Sequence, residues 1–166
     1  MELLDKIRDR QALISVIGLG YVGLPLAVMF SESGFYVQGI DIDQTKVDSI
    51  NSGESYIGDV ESSQLTNVTQ KSSTGKLFAT TDFDALRESD VVIICVHTPL
   101  SKTKDPDVSH ILTAVNEISS RVTKDALIVL ESTTYPGTTL ELVLPILENQ
   151  AQAQDRKLGS NIFLAF

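Results

Sequence analysis

Three closely spaced glycines are the residues of this sequence whose type and spacing point most directly to chemistry. They occur in GLGYVG, after a β-branched run and at the start of a helical pattern over residues 21–33. In such a turn, Gly18 permits the tight bend, Gly20 lets the backbone approach a diphosphate, and Gly23 lets the helix pack closely on the strand. The N–H groups at the helix start would then hold the diphosphate, whereas a simple strand-to-helix turn is the alternative interpretation.

A carboxylate at the end of the second predicted strand favours the ligand-binding interpretation. Asp41 lies 18 residues after Gly23, where an acid accepts hydrogen bonds from the hydroxyls of an adenosine ribose. Ile42 and Lys46 follow it, and no arginine lies between Asp41 and Asp48 to receive a 2′-phosphate. The sequence therefore predicts a dinucleotide site that prefers NAD to NADP.

Four motifs, in this order, resemble the UDP-glucose/GDP-mannose dehydrogenase family. They are GLGYVGLPL at residues 18–26, GIDID at 39–43, CVHTPL at 95–100 and ESTTYPGTT at 131–139. The similarity runs through the whole chain, and ESYIGD at 54–59 and STTYPG at 132–137 are similar to the members that oxidise UDP-N-acetylglucosamine or its epimers. The resemblance implies an NAD-dependent enzyme that oxidises the C6 alcohol of a nucleotide sugar to a carboxylate by two hydride transfers.

The resemblance also implies which residues lie at the cofactor. Val96, Thr98 and Pro99 are expected to form the loop beside the nicotinamide and its ribose, and Ser132 and Thr133 to lie at the next strand end. Thr133 is the candidate for ordering the catalytic water. No metal is expected, and the full set expected at the cofactor is Gly18, Gly20, Tyr21, Val22, Gly23, Asp41, Ile42, Lys46, Val96, Thr98, Pro99, Ser132 and Thr133.

Cys95 is the only thiol, and its position argues against the covalent role that a cysteine has in this family. We expect it to be buried in an apolar strand over residues 91–96, where a cysteine behaves as a small hydrophobe with a raised pKa. The nucleophilic cysteine, a lysine and a glutamate are expected beyond Phe166, so this chain alone should be inactive. His97 stands where the family usually has proline, and we interpret it as a tolerated loop substitution rather than an acid–base group. His110 is expected at the surface or in helix packing.

Strands that alternate with helices predict the fold that positions these residues. Strands are expected at residues 12–17, 36–41, 77–80, 91–96, 126–130 and 162–166, and helices at 2–10, 21–33, 44–51, 83–88, 107–121 and 136–147. We expect one Rossmann-type α/β domain over residues 1–166, a doubly wound parallel sheet with helices on both faces and ligands at the carboxyl ends of the strands. Residues 52–76 are irregular, with a weak helical stretch near 60–70, and a loop facing the substrate is one interpretation.

Composition narrows the partners and the compartment. The net charge of -9 opposes binding to nucleic acid or anionic lipid. One cysteine excludes an internal disulfide, and no apolar run reaches the roughly 20 residues that cross a bilayer, so the cytoplasm is expected. We expect a nucleotide-sugar substrate, UDP-linked in preference, and a homodimer of the full-length protein. The alternatives are a stand-alone NAD-binding module without catalysis and a hydroxyacid-type dehydrogenase.

Overall fold

The sheet of this protein is parallel throughout, and the first strand in the sequence lies in its interior. The computed structural model describes residues 2–69, 76–99, 106–153, 157 and 159–166. Its strands are β1 (Leu13–Ile17), β2 (Tyr36–Ile40), β3 (Leu77–Thr80), β4 (Val91–Ile94), β5 (Ala126–Leu130) and β6 (Ile162–Ala165). Their spatial order is β3-β2-β1-β4-β5-β6, with parallel pairing at every step. The predicted Rossmann-type, doubly wound sheet is confirmed.

Helices connect the strands on both sides of the sheet. In the described part of the chain they are α1 (Leu3–Arg8), α2 (Gly23–Glu32), α3 (Gln44–Ser52), α4 (Ser62–Val68), a 3₁₀ helix (Phe83–Glu88), α5 (Ser109–Arg121), a π-helical turn (Thr139–Val143) and α6 (Leu144–Ala153). The weak pattern near residues 60–70 thus contains a real helix, α4. Each of these helices is too short or too polar to cross a bilayer.

Alternate side chains of the central strands enter two separate cores. Val91 and Ile93 of β4 lie in the core beneath α2, α3 and α4, whereas Val92 and Ile94 lie in the core beneath α5 and α6. All four residues are buried, as expected of a parallel strand that is covered on both faces. The prediction of helices on both faces is therefore confirmed.

Two elements beside the glycine loop are shorter than expected. The first helix after the loop begins at Gly23 instead of residue 21. β4 ends at Ile94, so Cys95 follows the strand instead of lying in it. The reason is that β1 ends at Ile17, the pairing partner of Ile94, and the chain then turns at Gly18. Beyond that point β4 has no neighbour on this side with which to continue the ladder.

The helix that was expected to start at Pro136 begins at Thr139 and is irregular. Gly137 has a φ of +97°, a left-handed conformation that interrupts a helix. The helix then opens with the π-helical turn that contains Glu141. Pro145, the second residue of α6, has no N–H, and its ring would crowd the carbonyl of Glu141 four residues earlier. The extra residue of a π-helical turn accommodates such an interruption.

Asp90, just before β4, joins three separate parts of the chain. Its carboxylate accepts hydrogen bonds from Lys6 Nζ at 2.7 Å and from the Leu13 N–H at 2.9 Å, and Lys124 Nζ lies 3.3 Å away. Burial raises the pKa of this carboxyl, but the hydrogen bonds from Lys6 and Leu13 and the charge of Lys124 outweigh burial, so the pKa lies below its ordinary value. The charged form of Asp90 is therefore the one that the fold stabilises.

We predict that Asp90→Asn lowers the free energy of unfolding at pH 7 by about 1–3 kcal/mol, because charge-assisted hydrogen bonds are lost. A carboxyl with a lowered pKa contributes stability above its unfolded value, and that contribution disappears as pH falls through the folded value. The difference between the unfolding free energies of parent and variant, measured with urea, should therefore shrink as the pH falls below the ordinary carboxyl pKa of 3.8. Asp84→Asn, which breaks exposed pairs with Arg87 and Arg121, should have a smaller effect. A deficit of equal size at pH 7 and pH 3 would contradict the assignment.

Candidate functional site

The glycine loop lies at the carboxyl end of β1, where the order of the strands reverses. β1 has β2 on one side and β4 on the other, so the chain leaves the sheet here toward opposite halves. In open α/β sheets this switch point forms the crevice in which ligands bind. The loop, the end of β2 and the ends of β4 and β5 therefore surround one candidate site.

The space around each glycine shows why it is a glycine. Gly18 has a φ of +91°, and a Cβ there would lie 2.6 Å from the carbonyl oxygen of Cys95. A Cβ on Gly23 would lie 1.8 Å from the carbonyl oxygen of Gly18. A Cβ on Gly20, by contrast, would meet nothing within 4 Å. The fold therefore requires Gly18 and Gly23, whereas Gly20 leaves open space that a ligand could occupy.

The start of α2 presents unpaired backbone donors beside this space. The chain enters α2 through a turn closed by the hydrogen bond from the Leu24 N–H to the Gly20 carbonyl oxygen, so the N–H groups of this turn have no partner further back in the helix. In the described part of the chain, the N–H groups of Gly20, Tyr21 and Val22 make no hydrogen bond, and no acidic side chain lies in the first turn of α2. The side chains of Tyr21 and Val22 are themselves exposed. The arrangement fits an anion such as a diphosphate.

Asp41 follows β2 directly and is tied to the glycine loop. Its Oδ2 accepts hydrogen bonds from the Leu19 N–H at 2.8 Å and from Lys46 Nζ at 3.2 Å, and its Oδ1 accepts one from the Asp43 N–H at 3.0 Å. A carboxylate has about four acceptor positions, so one remains, and the half-buried Lys46 can release another. The neighbouring Ile42 side chain is 79% exposed. The predicted acid thus keeps acceptor capacity for a ligand, and its contact with a ribose stays a prediction.

Tyr56 also reaches the glycine loop, although sequence reasoning assigned it no role. Its hydroxyl donates a hydrogen bond to the carbonyl oxygen of Leu19 at 2.5 Å. Burial, together with the charges of Asp41 and Asp43, raises the pKa of this hydroxyl, so it remains a donor at neutral pH. The only sequence indication was the ESYIGD motif, which says nothing about this contact.

Two hydroxyl groups link the loops that follow β4 and β5. Ser132 is buried, and its Oγ lies 3.2 Å from the carbonyl oxygen of Ile94 and 2.9 Å from that of Val96, to which it donates. Thr98 Oγ1 donates to the carbonyl oxygen of Thr133 at 2.7 Å. The structure thus brings the predicted loop residues together, with Thr133 exposed and Val96, Thr98 and Pro99 half-buried. Their contacts with a cofactor stay a prediction, and the hydroxyl of Ser132 already serves the loop itself.

Comparison with known proteins assigns the site to a family. Residues 12–164 match the UDP-glucose/GDP-mannose dehydrogenase family, NAD binding domain. The chain belongs to this family. The prediction of the family is thereby confirmed, and so is NAD as its cofactor. The match sets aside a hydroxyacid-type dehydrogenase, because it covers nearly the whole chain with a different family.

Relatives within the family act on more than one nucleotide sugar. The chain is 43% identical over 136 residues to the UDP-N-acetyl-D-mannosamine dehydrogenase of Pyrococcus horikoshii, covering 82% of this chain and 32% of that protein. It is 45% identical over 142 residues to the GDP-mannose 6-dehydrogenase of Pseudomonas syringae pv. syringae, with the same two coverages. A ternary complex of GDP-mannose dehydrogenase from Pseudomonas aeruginosa has a TM-score of 0.80 at 38% identity, covering 91% of this chain and 34% of that one. The chain spans about a third of the length of these family members.

Cys95 is not available as the covalent nucleophile of this family. The thiol is buried, and burial together with the charge of Glu131 raises its pKa to about 12. A thiolate would therefore be scarce at neutral pH, and the thiolate is the reactive form. His97, where the resemblance implies a proline, is exposed, as is His110 on α5.

We predict that Gly20→Val abolishes NAD binding while the chain stays folded, because the new side chain would enter the open space, where a Cβ has no protein atom within 4 Å. Calorimetric titration with NAD and circular dichroism measure the two properties. Gly23→Val is the matched control, since its Cβ would collide with the Gly18 carbonyl oxygen, and it should lose folding as well as binding. A folded Gly20→Val protein with unchanged NAD affinity would show that the loop is only a turn.

Proposed function

We propose that the whole protein is an NAD-dependent nucleotide-sugar 6-dehydrogenase, and that this chain supplies its cofactor site. The observation that carries the proposal is the open space at Gly20, beside unpaired N–H groups, with the Asp41 carboxylate at the end of the adjacent strand. The match to the family's NAD binding domain over residues 12–164 supports it.

The β2 side of the site would bind the adenosine half of NAD, and the β4 side would bind the nicotinamide half. On the β2 side, Asp41 would accept hydrogen bonds from the adenosine ribose, and the N–H groups at the start of α2 would hold the diphosphate. On the β4 side, the linked loops that carry Thr98 and Ser132 would receive the nicotinamide half, which accepts the hydride when NAD is bound. Thr133, whose side chain is exposed, would order the water for hydrolysis.

The identity of the sugar nucleotide is the finer part of this proposal. Identities of 43% and 45% to a UDP-N-acetyl-D-mannosamine enzyme and a GDP-mannose enzyme do not rank the two substrates. The ESYIGD motif favours a UDP-N-acetylhexosamine, which we propose as the substrate. A screen of the full-length protein with UDP-N-acetylglucosamine, UDP-N-acetylmannosamine, UDP-glucose and GDP-mannose tests this. A cytoplasmic location and a homodimer of the full-length protein complete the proposal.

We predict that the chain binds NAD at least tenfold more tightly than NADP, because the Asp41 carboxylate would repel a 2′-phosphate. Asp41→Ala should weaken NAD binding about tenfold or more, since a hydrogen bond to a charged group contributes roughly 1.5–3 kcal/mol. The same change releases Lys46, so NADP should lose less affinity than NAD. Asp48→Ala, which removes an exposed carboxylate of α3, is the control in the calorimetric titrations. Equal NAD affinity in parent and Asp41→Ala would refute the role of Asp41.

We further predict that this chain by itself binds NAD but oxidises no nucleotide sugar, because a buried thiol with a pKa of about 12 cannot supply the covalent step. NADH absorbance with the four sugar nucleotides above should stay at the level of a blank. Steady NADH formation that Cys95→Ser abolishes would show that Cys95 is reactive after all. Activity that survives Cys95→Ser would contradict the assignment of the chemistry to another part of the protein.

A further inference from the structure

Leu19, between the first two glycines of the loop, is held on three sides. Its N–H donates to Asp41 Oδ2 at 2.8 Å, and its carbonyl oxygen accepts from the Tyr56 hydroxyl at 2.5 Å. Its side chain is fully buried and fills the space beside β2 where a Cβ on Gly39 would lie 2.8 Å away. The backbone at Leu19 therefore has little freedom to rotate.

The orientation of Leu19 determines the direction of the next N–H group. The peptide bond between Leu19 and Gly20 is planar and trans, so its C=O and N–H point in opposite directions. A hydrogen bond that holds the Leu19 carbonyl toward Tyr56 therefore turns the Gly20 N–H away from Tyr56. That N–H has no partner in the described part of the chain, and it belongs to the residue beside the open space.

Tyr56 is itself anchored well enough to hold another group in place. The residues on its C-terminal side, Ile57 and Val60, are buried in the core beneath α2, α3 and α4. Ser55 Oγ donates to the Ile57 carbonyl oxygen at 3.0 Å, which closes a tight turn around Tyr56. The ring of Tyr56 packs against the same core. These contacts restrict the position of the Tyr56 hydroxyl beside the glycine loop.

We propose that Tyr56 is a positioning residue of the cofactor site, whose hydroxyl holds the Leu19 carbonyl and thereby aims the Gly20 N–H at the diphosphate of NAD. This inference rests on the proposed NAD site and adds a residue to it. Tyr56 touches no part of the cofactor in this scheme. Its contribution is the direction of a backbone donor, which costs no reorganisation when the ligand arrives.

The test compares ligands that do and do not carry a diphosphate. Tyr56→Phe keeps the ring and removes the hydroxyl, so NAD and ADP-ribose should both bind about three- to tenfold more weakly, the range expected for one neutral hydrogen bond. Adenosine, which lacks phosphate, should bind with unchanged affinity. Tyr36→Phe is the matched control, because the Tyr36 side chain is exposed at the opposite end of β2. Its affinities should equal those of the parent.

Each outcome of these titrations has a distinct meaning. If the parent binds NAD and Tyr56→Phe binds it equally well, the positioning role is wrong while the NAD site stands. A loss shared equally by adenosine would indicate a general structural role and would overturn the proposal. Failure of the parent to bind NAD would refute the proposed function and this inference with it. If Tyr56→Phe does not fold, p-aminophenylalanine at position 56 decides, because it keeps the ring and a donor for the Leu19 carbonyl oxygen. NAD affinity close to that of the parent would support the proposal, and a loss of tenfold or more in the folded protein would overturn it.

Discussion

The close packing of the turn between β1 and α2 is the constraint on which the rest of the candidate site depends. A Cβ on Gly23 would lie 1.8 Å from the Gly18 carbonyl oxygen, and one on Gly18 would lie 2.6 Å from the Cys95 carbonyl oxygen. The helix can therefore start this close to the sheet only because both side chains are absent. The close approach brings the unpaired N–H groups of α2 to the switch point of the sheet. It also ends the pairing of β1 with β4, which places Cys95 after the strand.

A chain with a net charge of -9 must bind an anion through local donors, because its overall field repels the ligand. The backbone N–H groups at the start of α2 meet this need, since they lie in a turn without acidic side chains. Asp41, the acidic residue that is hydrogen-bonded to the glycine loop, is occupied by hydrogen bonds from the Leu19 and Asp43 N–H groups and by the ion pair with Lys46. Its negative charge is thereby partly balanced within the protein. In the proposed site, the acid that would bind a ribose can thus lie close to the donors that would bind a diphosphate.

Features that depend on residues adjacent in sequence could be predicted from the sequence. The alternation of apolar runs with helical patterns was sufficient for the strands, and the strand, glycines and Asp41 in succession indicated the dinucleotide site. Features that depend on which loops become neighbours could not be predicted. Tyr56 contacts Leu19, 37 residues away in sequence, and Ser132 donates to carbonyl oxygens 36 and 38 residues earlier. No local pattern encodes these pairs, because only the strand order brings them together.

The end of β4 and the start of the helix after Pro136 also depend on residues outside the local pattern. The apolar run VVIICV continues through residues 95 and 96, but a strand ends where its partner ends, and the Gly18 turn lies in another segment. The π-helical turn before α6 follows from Pro145, whose effect reaches back to the carbonyl of Glu141. A periodic pattern of apolar residues records which face is buried and is unaffected by such an insertion. Sequence periodicity therefore located the helix but could not show that it starts at Thr139 with a π-helical turn.

Because the candidate diphosphate donors are backbone groups, side-chain substitutions on the loop cannot delete them. Such changes act by blocking the space, as at Gly20, or by altering the direction in which a peptide points. The second route involves residues outside the loop, since Asp41 holds the N–H of Leu19 and Tyr56 holds its C=O. Each of these side chains orients one of the two peptide planes that meet at Leu19. In the proposed site, the direction of these donors thus depends partly on the residue that follows β2 and on the segment after α3, at a distance in sequence from the glycines themselves.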